Sequence, residues 1–507
     1  MFQKDAFTAL LSALGAHWTG ELPEARYLVD DSREAGEKDY FVLRDGTTVM
    51  TQERAQHLAD QAVLAGISAI ISHREVSVPA HVCLIRLDGT RQHLLELARG
   101  FYGPIPETLR LIAVTGTNGK TTTTYLIESA AQHLGLKVGV LGTISHRYPG
   151  YCEASENTTP GTLKLYRLLH AMVQARCDLV VMEVSSHAIC QDRIAGLMYD
   201  IAIWNNLGID HLDYHQTREA YGQAKQQLFS KYLVLSRKSG KNPVAIANAM
   251  DKAVMRLMHA ANPDAWGGRL ITFATDARVA GDVTIVTRAW KNHAWQGELQ
   301  YRGESEEISL PLVGRYNVEN AAAACSAFIT LGHKLSDVAC AMSKVSQIPG
   351  RMQVVREASP RVIVDFAHTP EALESALSAA RETMAGGRLW VIFGCGGDRD
   401  ASKRPVMAKY AQAKADVVVV TSDNPRTEDP QAIIRDIVSG LDMSRGVYVE
   451  ADRRLAIALA LKNAAAPEDV VLIAGKGHED YQILGDTKKH FSDVEEVRRY
   501  YGLELET

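Results

Sequence analysis

The chain has 507 residues, 46% of them hydrophobic and 23% charged, and is long enough for about three globular domains. Its net charge of −5 argues against a nucleic-acid-binding protein that works by bulk electrostatics, and no run approaches the roughly 18 apolar residues of a membrane span. Seven scattered cysteines without paired spacing favour a reducing cytoplasm over a disulfide framework.

The first block, residues 1–103, alternates short apolar strands with helical patterns. The strands include "YFVL" (Tyr40–Leu43) and "SAIIS" (Ser68–Ser72). The stretch "FYGPIPETLR" follows, and its two prolines, Pro104 and Pro106, stiffen what we interpret as a linker. We therefore expect an N-terminal domain that ends near residue 103.

The second block, residues 104–347, opens with the apolar strand "LRLIAVTG" and the helical pattern "TTTTYLIESAAQHLG". Further strands are predicted at "KVGVLGT", "DLVVMEV", "YDIAIWNNL", "PVAIAN" and "RLITFA". Continuous apolar strands that alternate with helices predict a parallel sheet covered on both faces. Near the end of the block, "VTIVTRAW" and "WQGELQYRG" alternate apolar and polar residues, which predicts an antiparallel hairpin.

The third block, residues 348–507, repeats the pattern of apolar strands and helices. Its predicted strands are "RVIVDFA", "RLWVIFG", "ADVVVVTS", "GVYVEA" and "DVVLIAG". This pattern is typical of a doubly wound sheet. The predicted fold is therefore α/β with three domains, in which a central phosphate-loop domain with a parallel sheet precedes a Rossmann-like C-terminal domain.

The loop "AVTGTNGKTTTT" (Ala113–Thr124) ends like a phosphate-binding loop, but only two residues separate Gly116 from Gly119, fewer than in the common G-x-x-x-x-G-K-[ST] form. The loop follows a buried-type strand and precedes a helix, which is the context that a phosphate loop requires. Lys120 would bring a positive charge to the phosphates, and the Thr121 hydroxyl suits Mg²⁺. The alternative is a glycine turn that only ends a strand, and the context favours the phosphate loop.

Two further motifs offer metal ligands. "MEVSSH" (Met182–His187) places Glu183 at the carboxyl end of a central strand, the edge at which ligands of open α/β sheets bind. "DHLDYH" (Asp210–His215) follows the next strand and contains His211. A lone histidine is more often structural than a ligand, so His211 by itself favours a structural role.

Taken together, the motifs occur in one order along the second and third blocks. They are "TGTNGKTTT", "NTTP", "EVSSHAICQDR", "DHLDYH", "AKQQLF", "GRYNVENAAAA", "IPGRM", "VDFAHTPEAL", "GCGGDRD", "SDNPRTEDP" and "AGKGHEDYQ". In this order they resemble the Mur ligases of peptidoglycan synthesis, whose phosphate loop characteristically has this short form. The first block matches the family only loosely.

The resemblance implies an ATP-dependent, ADP-forming ligase, similar to the family members that add meso-2,6-diaminopimelate. ATP would phosphorylate the γ-carboxylate of D-glutamate in UDP-MurNAc-L-Ala-D-Glu, and the amine of the amino acid would then attack the acyl phosphate. The expected partners are these small molecules, with ATP as co-substrate and Mg²⁺ as cofactor. We expect neither nucleic acid nor membrane insertion, and we expect a monomer in the cytoplasm.

The resemblance assigns residues to each substrate. ATP would be bound by Gly116, Thr117, Asn118, Gly119, Lys120, Thr121, Thr122, Asn317, Asn320, Arg351 and Asp365. The nucleotide-sugar peptide would be bound by Ser32, Asn157, Thr158, Thr159, Ser185, Gln191 and Arg193. The amino acid would be bound by Arg399, Asp423, Asn424, Pro425, Arg426, Gly475 and Glu479. His368 is expected near the chemistry without a defined role.

The resemblance also implies a metal site and four catalytic residues. The catalytic residues would be Lys120, Glu183, His211 and Lys225, and the metal would be bound by Thr121, Glu183, His211 and Lys225. Lys225 would act as a carbamate, because an ammonium has no lone pair for a metal whereas a carbamate presents oxygen ligands. Without the resemblance, Lys225 would be interpreted as a solvated helix lysine.

By itself, "SDNPRTEDP" predicts only a polar turn with two prolines. In the company of the other motifs it resembles the family's diaminopimelate-recognition loop. An arginine guanidinium matches the second carboxylate of diaminopimelate, which lysine lacks, through paired charge-assisted hydrogen bonds.

The sequence departs from the family at two places. Ile209 stands before the aspartate of "DHLDYH", where the family usually has a basic or amide residue. After "DDSR" (Asp30–Arg33), the turn "RDGTTV" has Thr47 where the family has a histidine, and a later Asp-Gly pair is absent. Ser32 still fits a contact with uracil.

Three hypotheses therefore stay open. The first is the diaminopimelate-adding ligase, and the second is a paralogue that joins an amino acid to a different carboxylate. The third is a catalytically silent binding protein, against which argues the joint retention of Lys120, Thr121, Glu183, His211 and Lys225. Folylpolyglutamate synthetase, another relative, is disfavoured by "DNPR" and "GKGHED".

Overall fold

The computed structural model of the protein describes residues 4–46 and 49–504. The altered turn at Thr47 lies outside the described residues. The chain divides into two compact units, of which the first ends at Phe273 and the second begins at Ala274. The α/β class is confirmed, while the division into three domains stays a prediction. None of the helices in the described part of the chain has the length and apolar composition needed to cross a bilayer.

The first unit begins with a small parallel sheet, in the strand order β1-β2-β3-β4. Its strands are β1 (Leu28–Val29), β2 (Tyr40–Leu43), β3 (Ala69–Ser72) and β4 (Cys83–Arg86). Its helices are α1 (Lys4–Ala13), α2 (Gln52–Leu64) and α3 (Leu94–Tyr102). The rings of Phe7, Tyr40 and Phe101 pack edge-on or tilted in its core, so the block predicted at 1–103 has buried apolar residues of its own.

The second sheet of the first unit carries most of the predicted apolar strands. Its strands are β5 (Arg110–Thr115), β6 (Val138–Leu141), β7 (Ser145–Tyr148), β8 (Tyr151–Ala154), β9 (Leu179–Glu183), β10 (Ile201–Trp204), β11 (Val244–Asn248) and β12 (Leu270–Ala274). From β12 the order is β11, β10, β5, β9 and β6, all parallel, followed by β7 and β8, which are antiparallel. The parallel strands confirm the prediction. The β7–β8 hairpin was not predicted, because "SHRY" and "YCEA" lack an apolar run.

Three helices of this region, α6, α8 and α10, begin at side chains that accept backbone N–H groups, which are Ser185, Thr217 and Asp251. All the helices of the region are α4 (Lys120–His133), α5 (Thr162–Gln174), α6 (Ser186–Cys190), α7 (Leu212–His215), α8 (Arg218–Gln227), α9 (Val234–Lys238) and α10 (Lys252–Ala260). A π-helical turn, Leu228–Leu233, joins α8 to α9, and a 3₁₀ turn spans Pro263–Trp266. Such π turns occur often beside functional sites, and this one directly follows the helix that carries Lys225.

The second unit opens with three antiparallel strands, β13 (Val283–Lys291), β14 (Ala294–Tyr301) and β15 (Glu304–Leu310). The predicted hairpin is confirmed, with Trp290 opposite Trp295, and β15 extends it. Two helices follow, α11 (Arg315–Thr330) and α12 (Leu335–Met342).

A six-stranded sheet forms the rest of the second unit, in the order β16-β17-β21-β18-β19-β20. Its strands are β16 (Gln353–Arg356), β17 (Arg361–Asp365), β18 (Leu389–Phe393), β19 (Val417–Val420), β20 (Val447–Val449) and β21 (Val470–Ala474), and a hairpin follows, β22 (Tyr481–Leu484) with β23 (Thr487–His490). Its helices are α13 (Pro370–Glu382), α14 (Lys403–Lys414), α15 (Pro430–Val438), α16 (Arg453–Asn463) and α17 (Asp493–Tyr501). All neighbours are parallel except β16 and β17, as predicted for a doubly wound domain.

Successive residues of these strands enter two separate cores. Ile363 belongs to one core, whereas Val362 and Val364 belong to the other, so both faces of the sheet are covered. The loops after β17, β18, β19 and β21 therefore meet at one edge, the carboxyl edge where open α/β sheets bind ligands. A buried ion pair, Arg453 with Asp493, also donates to two backbone carbonyls there.

Candidate functional site

The phosphate loop connects β5 to α4. Gly119 has φ of +83°, a left-handed conformation that favours glycine. The end of β10 supports the loop, because Asn206 accepts the N–H of Thr117 on its backbone oxygen at 3.1 Å and that of Asn118 on its Oδ1 at 2.8 Å. Lys120 Nζ donates to the Gly116 carbonyl at 2.9 Å, so its ammonium lies against the loop.

Glu183 ends β9 beside the phosphate loop and is 1% exposed. Its Oε2 accepts from Thr121 Oγ1 at 3.1 Å and from Thr143 Oγ1 at 2.9 Å, and its Oε1 accepts from Thr143 N at 2.8 Å. A Cβ added at Gly142 would lie 2.5 Å from Oε1, so glycine is required there. The carboxylate thus has a fixed orientation beside a hydroxyl.

The donor set fits Mg²⁺. A hydroxyl and a carboxylate beside a phosphate loop are hard oxygen ligands, which Mg²⁺ prefers together with phosphate oxygens and water. Within residues 4–46 and 49–504, no group of three or more His, Cys, Asp or Glu side chains is arranged to hold a metal. A metal beside Glu183 would therefore need other oxygen ligands.

Lys225, in the last turn of α8, is not solvated. It is 1% exposed, and its Nζ donates at 3.0 Å to the Gly116 carbonyl, the same oxygen that accepts from Lys120. Its Nζ also lies 4.6 Å from the centre of the Tyr221 ring. Burial and, after it, the positive charge of Lys120 lower the pKa of Lys225 well below its usual value. A lower pKa favours the neutral amine, the form that reacts with CO₂.

His211 is placed differently from the other predicted metal ligands. It precedes α7 with φ of +53°, and its side chain is 44% exposed. Its Nε2 lies 3.5 Å from Asp210, and its ring centre lies 4.7 Å from that of His187. Its ring centre also lies 6.3 Å from that of Tyr221, so its imidazole packs against other rings.

A cavity of about 790 Å³ lies within the first unit. Pockets of this size accommodate nucleotide-sized ligands. Predicted residues Asn157, Gln191 and Arg193 line it, together with the basic side chains of Arg44 and Lys164. Both the region before residue 104 and the region after it therefore contribute to one polar cavity.

A hydrogen-bond network runs from this cavity to the end of β9. Arg193 donates to Gln191 Oε1 at 2.7 and 2.9 Å and to the Thr159 carbonyl at 2.9 Å. Thr159 Oγ1 in turn donates to the Glu183 carbonyl at 2.8 Å and accepts from Ser185 N at 3.2 Å. The structure thus connects four of the residues predicted to bind the sugar peptide.

The other residues of that prediction have separate contacts. Thr158 Oγ1 lies within hydrogen-bond distance of Thr143 Oγ1, at 3.1 Å, which links it to the Glu183 site. Ser32 Oγ donates to Gln61 Oε1 at 2.9 Å, and Ser32 is absent from the residues that line the cavity. Arg44 pairs with Asp30 at the cavity wall.

The residues predicted at the adenine end of ATP lie in α11. Asn317 and Asn320 are 2% and 5% exposed. Asn317 Nδ2 donates to the Val313 carbonyl at 2.8 Å, and Asn320 Nδ2 donates to Asn317 Oδ1 at 3.0 Å. Internal hydrogen bonds therefore hold these amides in place.

Arg351 and Asp365 lie together in the second unit. Asp365 accepts two backbone N–H groups, and its burial raises its pKa although Arg351 opposes the rise. The Arg351 guanidinium lies 4.7 Å from the centre of the Phe366 ring. His368 Nδ1 bonds the Phe366 carbonyl at 2.8 Å, so the predicted residues share one aromatic neighbour.

Two of the predicted amino-acid loops pack tightly against each other. A Cβ added at Gly397 would lie 1.9 Å from the Pro425 carbonyl oxygen, so the close approach requires glycine. Arg426, with φ of +53°, donates from Nη1 to the Gly397 carbonyl at 2.7 Å. Across residues 4–46 and 49–504, no carboxylate oxygen lies within 4.0 Å of its guanidinium. Arg399 is exposed nearby on the Gly397 loop.

The third loop follows β21. A Cβ added at Gly475, which has φ of +116°, would lie 2.6 Å from Asp423 Oδ2. Asn424 Nδ2 donates to Glu479 Oε2 at 2.9 Å. The structure therefore brings the predicted amino-acid-binding residues of all three loops to one edge of the sheet.

Comparison with known proteins is consistent with this geometry. The model of the Mur ligase middle domain matches residues 114–328, and that of the Mur ligase, glutamate ligase domain matches residues 350–477. The UDP-N-acetylmuramoyl-L-alanyl-D-glutamate–2,6-diaminopimelate ligase of Synechococcus elongatus is 41% identical over 93% of both chains. The chain belongs to the Mur ligase family.

Solved Mur ligases share the fold. A structure of UDP-N-acetylmuramoyl-L-alanyl-D-glutamate–2,6-diaminopimelate ligase aligns with a TM-score of 0.65 and 33% identity, and covers 94% of this chain and 95% of its own. The MurF ligase of Thermotoga maritima in complex with ADP aligns with a TM-score of 0.63 and 18% identity, over 90% and 94% of the two chains, and shows the fold alone.

Sequence reasoning missed several residues of this Mur ligase site. Thr143 contacts Glu183 through two atoms, but a lone threonine after a strand carries no signal. Arg44 and Lys164 line the cavity, which no local pattern indicates. Lys476 lies buried between Asn424 and Glu479, and its place within "AGKGHED" could have suggested it.

Proposed function

We propose that this Mur ligase joins meso-2,6-diaminopimelate to the γ-carboxylate of D-glutamate in UDP-MurNAc-L-Ala-D-Glu, with ATP as co-substrate. The relatives that support this proposal carry that activity in their names. ATP and a UDP-linked acceptor are metabolites of the cytoplasm, so we propose that the reaction occurs there. The three predicted domains, 1–103, 104–347 and 348–507, would bind the UDP-sugar, ATP and the amino acid.

The contacts of the Arg426 guanidinium are the observation that supports diaminopimelate as the amino acid. This guanidinium is anchored through one nitrogen to Gly397, and no carboxylate oxygen of the described residues lies within 4.0 Å of it, although the charge of Asp398 acts on it from further away. A partly buried guanidinium without an anion favours a ligand carboxylate, which it can bind through two parallel hydrogen bonds. Diaminopimelate has a second carboxylate for this contact and lysine has none.

The reaction would occur in two steps. A γ-carboxylate oxygen attacks the terminal phosphorus of ATP, which forms an acyl phosphate and releases ADP. The neutral amine of diaminopimelate then attacks the acyl carbon, the C–O bond to phosphate breaks, and the amine loses a proton as the amide forms. The phosphorylation is needed because a free carboxylate has a poor leaving group.

The phosphate-loop residues would bind and orient ATP. Gly119 and the N-terminus of α4 would bind the phosphates through backbone N–H groups, while Asn206 holds the N–H groups of Thr117 and Asn118 in place. Thr121 and Glu183 would hold Mg²⁺, which when bound neutralises phosphate charge. Lys120 would add its charge to the same phosphates.

Lys225 would act as its carbamate. The neutral amine attacks CO₂, a C–N bond forms, and one proton is released, which leaves a carboxylate-like group in place of a cation. The lowered pKa of Lys225 favours the amine that this step needs. The carbamate would also remove the repulsion between two lysines that share the Gly116 carbonyl. His211 stays proposed as a metal ligand of the family.

The acceptor would occupy the cavity of the first unit. Residues Asn157, Gln191 and Arg193 line it, and Thr158, Thr159 and Ser185 belong to the network behind it. Burial and the positive charge of Arg44 lower the pKa of Arg193. Because the charged form of Arg193 is disfavoured, an anionic ligand such as a diphosphate or carboxylate would stabilise it.

The experiment is ATP-dependent phosphate release by the purified protein with UDP-MurNAc-L-Ala-D-Glu, which compares meso-diaminopimelate with L-lysine. We expect release with diaminopimelate and little with lysine. Release with lysine alone would contradict the amino-acid assignment. Release with neither amino acid, while ATP still binds, would indicate a different acceptor.

A further inference from the structure

Lys476 directly follows Gly475 at the end of β21 and is completely buried. Its Nζ contacts three acceptors, which are Asn424 Oδ1 at 3.3 Å, Glu479 Oε2 at 3.4 Å and the Tyr481 carbonyl. An ammonium has three N–H donors. All three are matched by protein oxygens, so Lys476 has no donor left for a ligand.

The same contacts fix the amide of Asn424. Its Oδ1 accepts from Lys476 and from the backbone N–H of Ile483 at 3.0 Å, while its Nδ2 donates to Glu479 at 2.9 Å. Both donors point at one end of the amide, and an acceptor faces the other end. If the amide were flipped, its own N–H groups would face these two donors and no hydrogen bond could form there. Only the observed orientation is therefore compatible with the contacts.

Glu479 is held by the same arrangement. Its Oε2 accepts from Asn424 and lies near Lys476, whereas its Oε1 has, among the described residues, a single contact at 3.4 Å with the Tyr481 hydroxyl. Its side chain is 20% exposed. The carboxylate therefore turns one oxygen inward and keeps the other available for a cationic group such as an ammonium.

We propose that Lys476 is a positioning residue for the amino-acid substrate. It orients Asn424 and Glu479 without touching the substrate, because its ammonium lies 3.3 Å from Asn424 Oδ1 and 3.4 Å from Glu479 Oε2. The inference rests on the proposed function, because Asn424 and Glu479 are the residues assigned to the amino acid. Lys476 thus determines the affinity for the amino acid and leaves ATP binding unaffected.

The test is steady-state kinetics of K476M with ATP and meso-diaminopimelate as the varied substrates. Methionine keeps the apolar length of the lysine side chain but removes its charge. We expect the KM for diaminopimelate to rise at least about tenfold, since a buried carboxylate loses its partner. The KM for ATP and the kcat at saturating diaminopimelate should change by less than about twofold.

The control is K488M on the same hairpin region. Lys488 lies on β23, its Nζ is 3.7 Å from the centre of the Tyr481 ring, and the residue is exposed. The chemical change is identical, but no contact with Asn424 or Glu479 is removed. We expect wild-type constants for K488M.

A double variant separates positioning from a general loss of stability. Since Lys476 is proposed to act in part through Glu479, K476M should raise the KM of E479Q by a smaller factor than it raises the wild-type KM. If the effects of K476M and E479Q on the diaminopimelate KM simply multiply, the inference is overturned. An unchanged diaminopimelate KM in K476M would also overturn it, and so would an equal rise in the KM values for diaminopimelate and ATP. If K476M does not fold, K476Q, which keeps two N–H donors without charge, replaces it with the same expected result.

The wild-type protein in the same assay reports on the proposed function separately. No phosphate release with diaminopimelate by wild type would overturn both the proposed function and this inference. Activity of wild type with unaltered kinetics of K476M would overturn the role of Lys476 alone.

Discussion

The phosphate loop and the amino-acid loops both follow parallel strands at their carboxyl edge, yet they hold their cations differently. Lys120 and Lys225 donate to the same loop carbonyl, that of Gly116. Arg426 uses one nitrogen for the Gly397 carbonyl, and no carboxylate oxygen of the described residues lies within 4.0 Å of its guanidinium. A phosphate must compete with protein oxygens for Lys120, whereas a carboxylate meets Arg426 without displacing an anion.

The two regions therefore differ in their proposed tasks. The phosphate loop would bind ATP, whereas the amino-acid loops would select among amino acids. The phosphate loop brings two lysine nitrogens to one oxygen, and burial together with the charge of Lys120 lowers the pKa of Lys225 there. The amino-acid loops leave a charge exposed to the ligand and fix its direction by close backbone approach. A single substitution can test each region, at Lys225 for the phosphate loop and at Arg426 for the amino-acid loops.

The largest effect is expected for Lys225→Ala. If the carbamate of Lys225 supplies oxygen ligands beside the phosphate loop, its loss should lower kcat by at least about 100-fold. A short carboxylate such as formate should restore part of the activity, because it can supply equivalent oxygens. The measurement is phosphate release with and without added formate.

The control for Lys225→Ala is Lys231→Ala. Lys231 lies six residues further along the chain, is 46% exposed and pairs with Asp192 at 2.8 Å. The Lys231→Ala variant should retain wild-type activity. Full activity of Lys225→Ala would show that the two lysines at Gly116 need no chemical modification.

Much of the phosphate-loop half could be predicted from sequence. The apolar strand, the glycines and the helix are local features, and together they indicated the loop at Gly116–Thr122 and the strand that ends at Glu183. The burial of Lys225 could not be predicted, because "AKQQLF" has the composition of an exposed helix face. Only the packing of α8 against the loop places this amine against the Gly116 carbonyl.

Arg426→Ala is expected to have the next largest effect. Loss of a paired guanidinium should cost about 2–5 kcal/mol of binding, equivalent to a rise of at least about 30-fold in the KM for diaminopimelate. The KM for ATP should stay within about twofold. Steady-state kinetics with each substrate varied in turn provide the measurement.

The matched substitution is Arg435→Ala. Arg435 lies on α15, is 69% exposed and has its own partner, Asp429, at 3.5 Å. Its removal should leave the diaminopimelate KM unchanged. Equal effects of the two arginine substitutions would mean that the loop around Arg426 acts only as a turn.

A smaller effect concerns pH. The proposed carbamate of Lys225 would form from the neutral amine and would be lost when the amine is protonated. The lowered pKa of Lys225 would move this loss to lower pH than for an ordinary lysine. With ¹³C-labelled bicarbonate, the wild-type protein should show a carbamate NMR signal at about pH 8. This signal should disappear on acidification. Lys225→Met should lack this signal at every pH. A signal of equal intensity in both proteins would assign it to another amine.

The amino-acid half was harder to predict, for a physical reason. "SDNPRTEDP" is a turn by its composition, and its function depends on the contact between Gly397 and Pro425, which are distant in sequence. The hairpin Tyr481–Leu484 with Thr487–His490 was not predicted either, since its strands are polar or half-buried. Motif resemblance identified Arg426, but the anchoring of its guanidinium required the structure.

The smallest expected effect is that of Ser32→Ala, which extends the comparison to the nucleotide end of the acceptor. Ser32 neighbours Asp31 in the cavity wall, while its own hydroxyl donates to Gln61 at 2.9 Å. A bound uracil would exchange one hydrogen bond of this hydroxyl for another, so the net contribution is about 0.5–1.5 kcal/mol. We therefore expect the affinity for UDP-MurNAc-L-Ala-D-Glu to fall by about 2- to 12-fold, with ATP binding unchanged.

Calorimetry with the nucleotide measures this change, and Ser12→Ala is the control, because Ser12 lies on α1 and donates only to the Thr8 carbonyl. Unchanged affinity in Ser32→Ala would place the uracil away from this serine. Absence of binding by the wild-type protein at about millimolar nucleotide, with normal ATP binding, would favour a paralogue with another acceptor. That result would also mean that the anion for Arg193 is not a UDP-linked one, because the same cavity would then bind a different carboxylate.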